Sequence, residues 1–130
     1  MAQQILIVEK ANSLRENLGQ RLRQKGYQLL ETDLVDSALK LLSVNKIHLV
    51  LLGLEGLKRN GIILMKEIRT RYPSVRIITI NSGEQLDLSI EAMRLGAFDD
   101  FLIPFDLDEL LTQIYHAIEN KPSDHQTPSD

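Results

Sequence analysis

Glu9 and Glu55 are the two carboxylates whose positions could do chemistry. Glu9 follows the apolar run Ile5 to Val8, and Glu55 lies just beyond the run Leu49 to Leu52. Short unbroken runs of this kind read as strands buried on both faces. In a parallel sheet, chemistry gathers at the carboxyl ends of such strands. The stretch HLVLLGLEG, residues His48 to Gly56, therefore points at a site, yet the residue that ends its strand is Gly53. Glycine offers no group to react. Beside Glu9 stands Lys10, whose positive charge repels a cation. One or two carboxylates make a poor cage for a hard divalent cation. The three histidines, His48, His116 and His125, share no metal-ligand spacing, and the absence of cysteine excludes disulfides and thiolate-held metals.

The elements that must hold these residues alternate along the chain. Ile5 to Val8, Tyr27 to Thr32, Leu49 to Leu52, Arg76 to Ile80 and Phe101 to Ile103 read as strands. Between them lie helical patterns. Leu14, Leu18 and Leu22 form a stripe that Asn12 or Ser13 can cap and Gly26 ends. Ala38, Leu39, Leu41 and Leu42 follow Asp36. Gly61 to Arg71 is stopped by Pro73, and Leu86 to Leu95 by Gly96. Asp106 caps a last helix in which Leu107, Leu110, Leu111, Ile114 and Ile118 share one face. Residues 53–56 read as a loop, and Asn81, Ser82 and Gly83 as a turn. Five strand–helix units predict an α/β fold, a doubly wound parallel sheet of order 2-1-3-4-5 with helices on both faces.

At 130 residues the chain is the size of one domain, with residues 1–119 carrying the fold. Residues 120–130, NKPSDHQTPSD, have nothing apolar to bury and read as a polar tail or the start of a linker. The formal charge of −3 gives no basic footprint for nucleic acid. No apolar run has the ~20 residues of a membrane span, and the first residues lack the build of a signal peptide. A cytoplasmic location is expected.

The motifs ILIVEK, LVLLGLEGLKRNG and GAFDDFLIPFDLDEL, with Gly53 eight residues before Gly61 and 28 before Asn81, resemble the receiver domain of bacterial two-component response regulators. The resemblance runs from about Ile5 to Ile118 and implies a flavodoxin-like fold and a part in phosphorelay signalling. It also implies a phosphoacceptor aspartate at the end of the third strand, where this chain has Gly53. The family's magnesium-binding acidic pair falls on Glu9 and Lys10. Its phosphate-sensing threonine or serine falls on Asn81, its lysine on Ile103 and its mobile aromatic residue on Asp100. The resemblance thus implies a pseudo-receiver: not an enzyme, not phosphorylated at the usual position, with no cofactor and with Mg²⁺ binding lost or weak.

Each altered position carries an expectation. Lys10 is expected to act as an internal cation paired with Glu9 or Glu55, rather than as a solvated side chain. Gly53 reads as drift after phosphorylation was lost, or as bare backbone open to a ligand or partner. The Asn81 amide is expected to cap its turn, and Ile103 to close the vacated pocket with apolar surface. Receivers commonly signal through the face of the fourth helix, fifth strand and fifth helix. Here that face would hold Glu91, Arg94, Asp99, Asp100, Glu109 and Gln113, making protein–protein interaction or dimerisation the expected function. An output domain beyond residue 130 would also fit the family. The competing expectation is an atypical switch, phosphorylated at Glu9, Glu55 or Ser82 or binding a small ligand in the crevice. A flavin enzyme of the same fold is disfavoured, since EKANSLRE is not a phosphate loop.

Overall fold

The computed structural model describes residues 3–119. Twelve elements follow one another: β1 (Gln4–Val8), α1 (Asn12–Gln24), β2 (Gln28–Thr32), α2 (Val35–Val44), β3 (Leu49–Gly53), the single turn α3 (Leu54–Leu57), α4 (Arg59–Arg71), β4 (Arg76–Ser82), a 3₁₀ turn (Gly83–Gln85), α5 (Leu86–Arg94), β5 (Asp99–Ile103) and α6 (Leu107–Glu119). All strand pairings are parallel and the order is β2-β1-β3-β4-β5, as the alternation predicts. Residues 120–130, expected to form a tail or linker, lie outside the described residues.

The period-2 alternation of strand side chains divides the core between the two faces of the sheet. Leu6, Val8, Val50, Leu52 and Ile77 face one way and pack with residues of α2, α4 and α5. Ile5, Ile7, Leu49, Leu51, Ile78, Ile80 and Phe101 face the other way and pack with α1 and α6. β3 is central and every residue in it is buried. Parallel strands covered on both sides must be apolar throughout, so the unbroken run at Leu49 to Leu52 follows from its place in the sheet.

Four local details differ from the sequence pattern, the first being that β4 runs on through Asn81 and Ser82, which were expected to turn. Neither Asn12 nor Ser13 caps α1: the cap position is Ala11, and the Asn12 Oδ1 instead accepts a hydrogen bond from Arg15 Nη2 at 2.7 Å. Residues 54–56, expected as loop, belong with Leu57 to the turn α3, because Leu54 and Leu57 both reach the core. β5 begins two residues early, at Asp99. Other signals hold: Gly26 and Gly96 take the positive φ values of +96° and +100° that end helices, and Asp106 Oδ1 accepts from the backbone N–H groups of Asp108 and Glu109.

Candidate functional site

The carboxyl ends of β1, β3 and β4 bring Glu9, Gly53 and Asn81 to one end of the sheet. Gly53 is empty of side chain, but its space is not empty. A Cβ built on Gly53 would meet the Glu9 carboxylate, with Glu9 Cδ only 2.7 Å away. Glu9 is 4% exposed and lies over β3 where a larger residue 53 would stand. Its own loop holds it there. The Ala11 N–H donates to Glu9 Oε2 at 3.0 Å, and Arg15 Nη1 donates to the Glu9 carbonyl at 2.6 Å. Glu55 is close enough for its charge to act on Glu9, and the buried Glu55 Oε1 has no hydrogen-bond partner.

Burial pushes the Glu9 carboxyl above the usual glutamate value of 4.5; the Ala11 N–H and the Arg15 charge pull the other way, and the Glu55 charge adds to the rise. The folded-state value therefore exceeds the unfolded one. Stability from protonated Glu9 is full below the unfolded pKa and is lost as pH rises through the higher folded value. Glu9→Gln keeps an acceptor for the Ala11 N–H and has no charge to bury. We expect it to be more stable than the native protein near neutral pH, with the advantage shrinking as pH falls through the glutamate range. Urea unfolding across pH checks this; a pH-independent difference would remove ionisation of Glu9 as its cause.

Lys10 does not supply the internal cation expected of it. Its side chain is exposed and makes no ion pair among the described residues, and its stem lies over Gly56. The charge near Glu9 is that of Arg15, one turn into α1, a residue the sequence pattern did not single out. Lys58 Nζ donates to the Glu55 carbonyl at 2.8 Å, so it too leaves the Glu55 carboxylate alone.

Asn81 is fully buried and its amide is spent on the chain itself. Nδ2 donates to the Gln85 carbonyl at 2.7 Å and to Ser89 Oγ at 2.9 Å, and Oδ1 accepts from the Ser82 N–H. The amide thus pins the end of β4 to the first turns of α5. Asp100 is likewise tied inward, accepting from the buried Thr79 hydroxyl at 2.5 Å. Ile103 does not close a pocket: it ends the outermost strand, where cover is least, and is 41% exposed. Ser82 Oγ accepts from the Glu84 N–H.

The expected interaction face divides in two. Glu91 bonds Arg59 at 2.7 Å and lies 3.9 Å from Lys66, so it ties α5 to α4. Asp99 and Gln113 hold each other at 2.9 Å across β5 and α6. With Asp100 and Glu109 they line a groove that excludes Glu91 and Arg94. The sequence pattern missed an apolar stripe: Leu86, Ile90 and Met93, at i, i+4 and i+7 on α5, are exposed, as are Leu102 and Ile103 on β5. Their spacing gave the signal, but apolar residues at helical spacing point first to a core.

Residues 5–115 match the family described as the response regulator receiver domain. The response regulator protein FleR of Pseudomonas aeruginosa is 32% identical over 127 residues, covering 97% of this chain and 27% of FleR. Sporulation initiation phosphotransferase F of Bacillus subtilis is 30% identical over 110 residues, covering 85% of this chain and 89% of that protein. The receiver domain of NtrX from Brucella abortus superposes with a TM-score of 0.84 at 25% identity, covering 90% of this chain and 99% of that one. The chain thus spans about a quarter of the length of FleR and nearly all of the sporulation protein.

Proposed function

Since the chain belongs to the response regulator receiver domain family of two-component signalling, we propose that it is a receiver without phosphotransfer at the usual position, acting through protein–protein contact. One observation carries this reading: the acceptor position is Gly53, and the space of its missing side chain is filled by Glu9. A carboxylate engaged over β3, beside an exposed Lys10, does not fit the magnesium cage of the family. The positions of the family's phosphate-sensing residue and its mobile aromatic residue, Asn81 and Asp100, are each bonded within the fold. The exposed apolar residues of α5 and β5 supply contact surface. The partner is another protein or a second copy, and an attached output domain would fit the family. Among the described residues no helix is long and apolar enough to cross a membrane.

Thermal unfolding with and without Mg²⁺ plus beryllofluoride, the mimic of an aspartyl phosphate, tests the reading. We expect no shift. A ligand at one hundred times its dissociation constant would add about 2.7 kcal/mol of stability, and a shift of that order would overturn the proposal. It would favour the second reading, in which Glu9, Glu55 or Ser82 takes the phosphoryl group or the crevice takes a small ligand. The buried, unpartnered Glu55 Oε1 is the observation on that side.

A further inference from the structure

The open groove between β5 and α6 offers about 730 Å³ and joins two kinds of surface. Phe101, Leu102, Pro104 and Phe105 supply apolar lining, and Leu102 is exposed on the outermost strand. Around it stand five carboxylates, Asp99, Asp100, Asp106, Asp108 and Glu109, with no Lys, Arg or His in the lining. The net charge of the whole chain is only −3, so negative charge is concentrated here beyond what the rest of the protein carries. Internal cations barely offset it: Arg21 comes no nearer than 3.8 Å to the exposed Asp108. Among the described residues no three acidic or histidine side chains are placed to hold a metal ion. The carboxylates are spread along the groove, so a point cation cannot satisfy them together, whereas a chain carrying several positive charges can. A second copy would bring the same acidic groove and a net negative charge.

We propose that this groove docks a cationic peptide segment of a partner protein, with Lys or Arg side chains opposite the carboxylates and one apolar side chain against Leu102, Pro104 and Phe105. This rests on the reading of the chain as an interaction module and names the chemistry of its partner.

The test uses the full chain and a fluorescein-labelled peptide, RKLKFKR, without Mg²⁺ or phosphate donor. Anisotropy is expected to show saturable binding that weakens about tenfold or more between 0.05 and 0.5 M salt. Amide shifts in NMR should cluster at residues 99–106 and 108–113. The double variant Glu109→Gln/Thr112→Lys, on the exposed side of α6, should weaken binding about tenfold. Glu16→Gln/Gln20→Lys, with the same charge change on α1, should leave it unaltered. Equal loss in both variants, or shifts scattered over the surface, would overturn the proposal as unspecific charge attraction. So would sedimentation showing self-association that Glu109→Gln/Thr112→Lys abolishes, since the occupant would then be a second copy. Failure here leaves the silent phosphoacceptor position untouched; failure of that reading shows as a beryllofluoride response.

Discussion

Gly53→Ala is expected to destabilise the domain by about 1–3 kcal/mol, the usual range for overpacking a filled interior. Elsewhere in a strand the same change would help, by roughly 0.5–1 kcal/mol, because glycine loses more backbone freedom on folding. Nor does the backbone ask for glycine: φ is −85° and ψ is 104°, open to any residue. The sign is reversed by Glu9 alone, whose Cδ would lie 2.7 Å from the new Cβ. Glu9 is a flexible side chain, but its carboxylate is buried and bonded to the Ala11 N–H, so moving it is costly. In a Glu9→Ala background the obstacle is gone, and Gly53→Ala is expected to be neutral or mildly stabilising. The cycle should therefore show a coupling of about 1.5 kcal/mol or more, within the range for residues in contact. Urea unfolding of the four proteins measures it. An additive cycle would mean that Glu9 does not occupy that space, and the account of the altered site would fail with it. For the same reason Gly53→Asp should not restore a receiver: its carboxylate would enter the volume and the charge field of Glu9 and Glu55.

The strand order and the core were legible because the central strands of a parallel sheet covered on both faces demand unbroken apolar runs, as at Ile5 to Val8 and Leu49 to Leu52, and because strand and helix patterns alternate five times. What the pattern misjudged sits at edges and ends. Asp99 and Asp100 open β5, although acidic residues disfavour strands, because the outermost strand lets them reach Gln113 and Thr79. Ile103 looked like pocket lining, yet the end of that strand leaves it exposed. At the altered site the positions Glu9, Gly53 and Asn81 could be picked out through the resemblance to the receiver family. The relation between them could not, since spacing does not say which side chain fills another's space. Lys10 was the obvious cation by adjacency; Arg15 does the work because a helix returns it towards the end of β1.

Leu54→Ala is expected to cost about 2–5 kcal/mol, the range for truncating a buried leucine. Two glycines, Gly53 and Gly56, made this stretch read as a loop, and the side chain of Leu54 is what makes it a turn of helix. Leu54 is fully buried in the cluster that contains Leu57, Ile62 and Met65. It also lies against Gly61, where an added Cβ would come within 2.7 Å of its Cδ2, so the junction of α3 and α4 is closely filled. The turn closes through the Lys58 N–H donating to the Leu54 carbonyl at 2.7 Å. It then demands φ +54° and ψ −131° of Lys58, a conformation that glycine takes freely and lysine does not. Strain of this sort costs on the order of 1–3 kcal/mol, and the burial of Leu54 and Leu57 must offset it. Removing Leu54 therefore loses the apolar contact and also releases the turn. Denaturant unfolding should show the full loss of stability. Native-state hydrogen exchange should show residues 54–61 opening more readily than the rest of α4. A loss below about 1 kcal/mol, or unchanged protection there, would mean that the segment is held by its backbone alone and that the loop expected from the glycines is the better description.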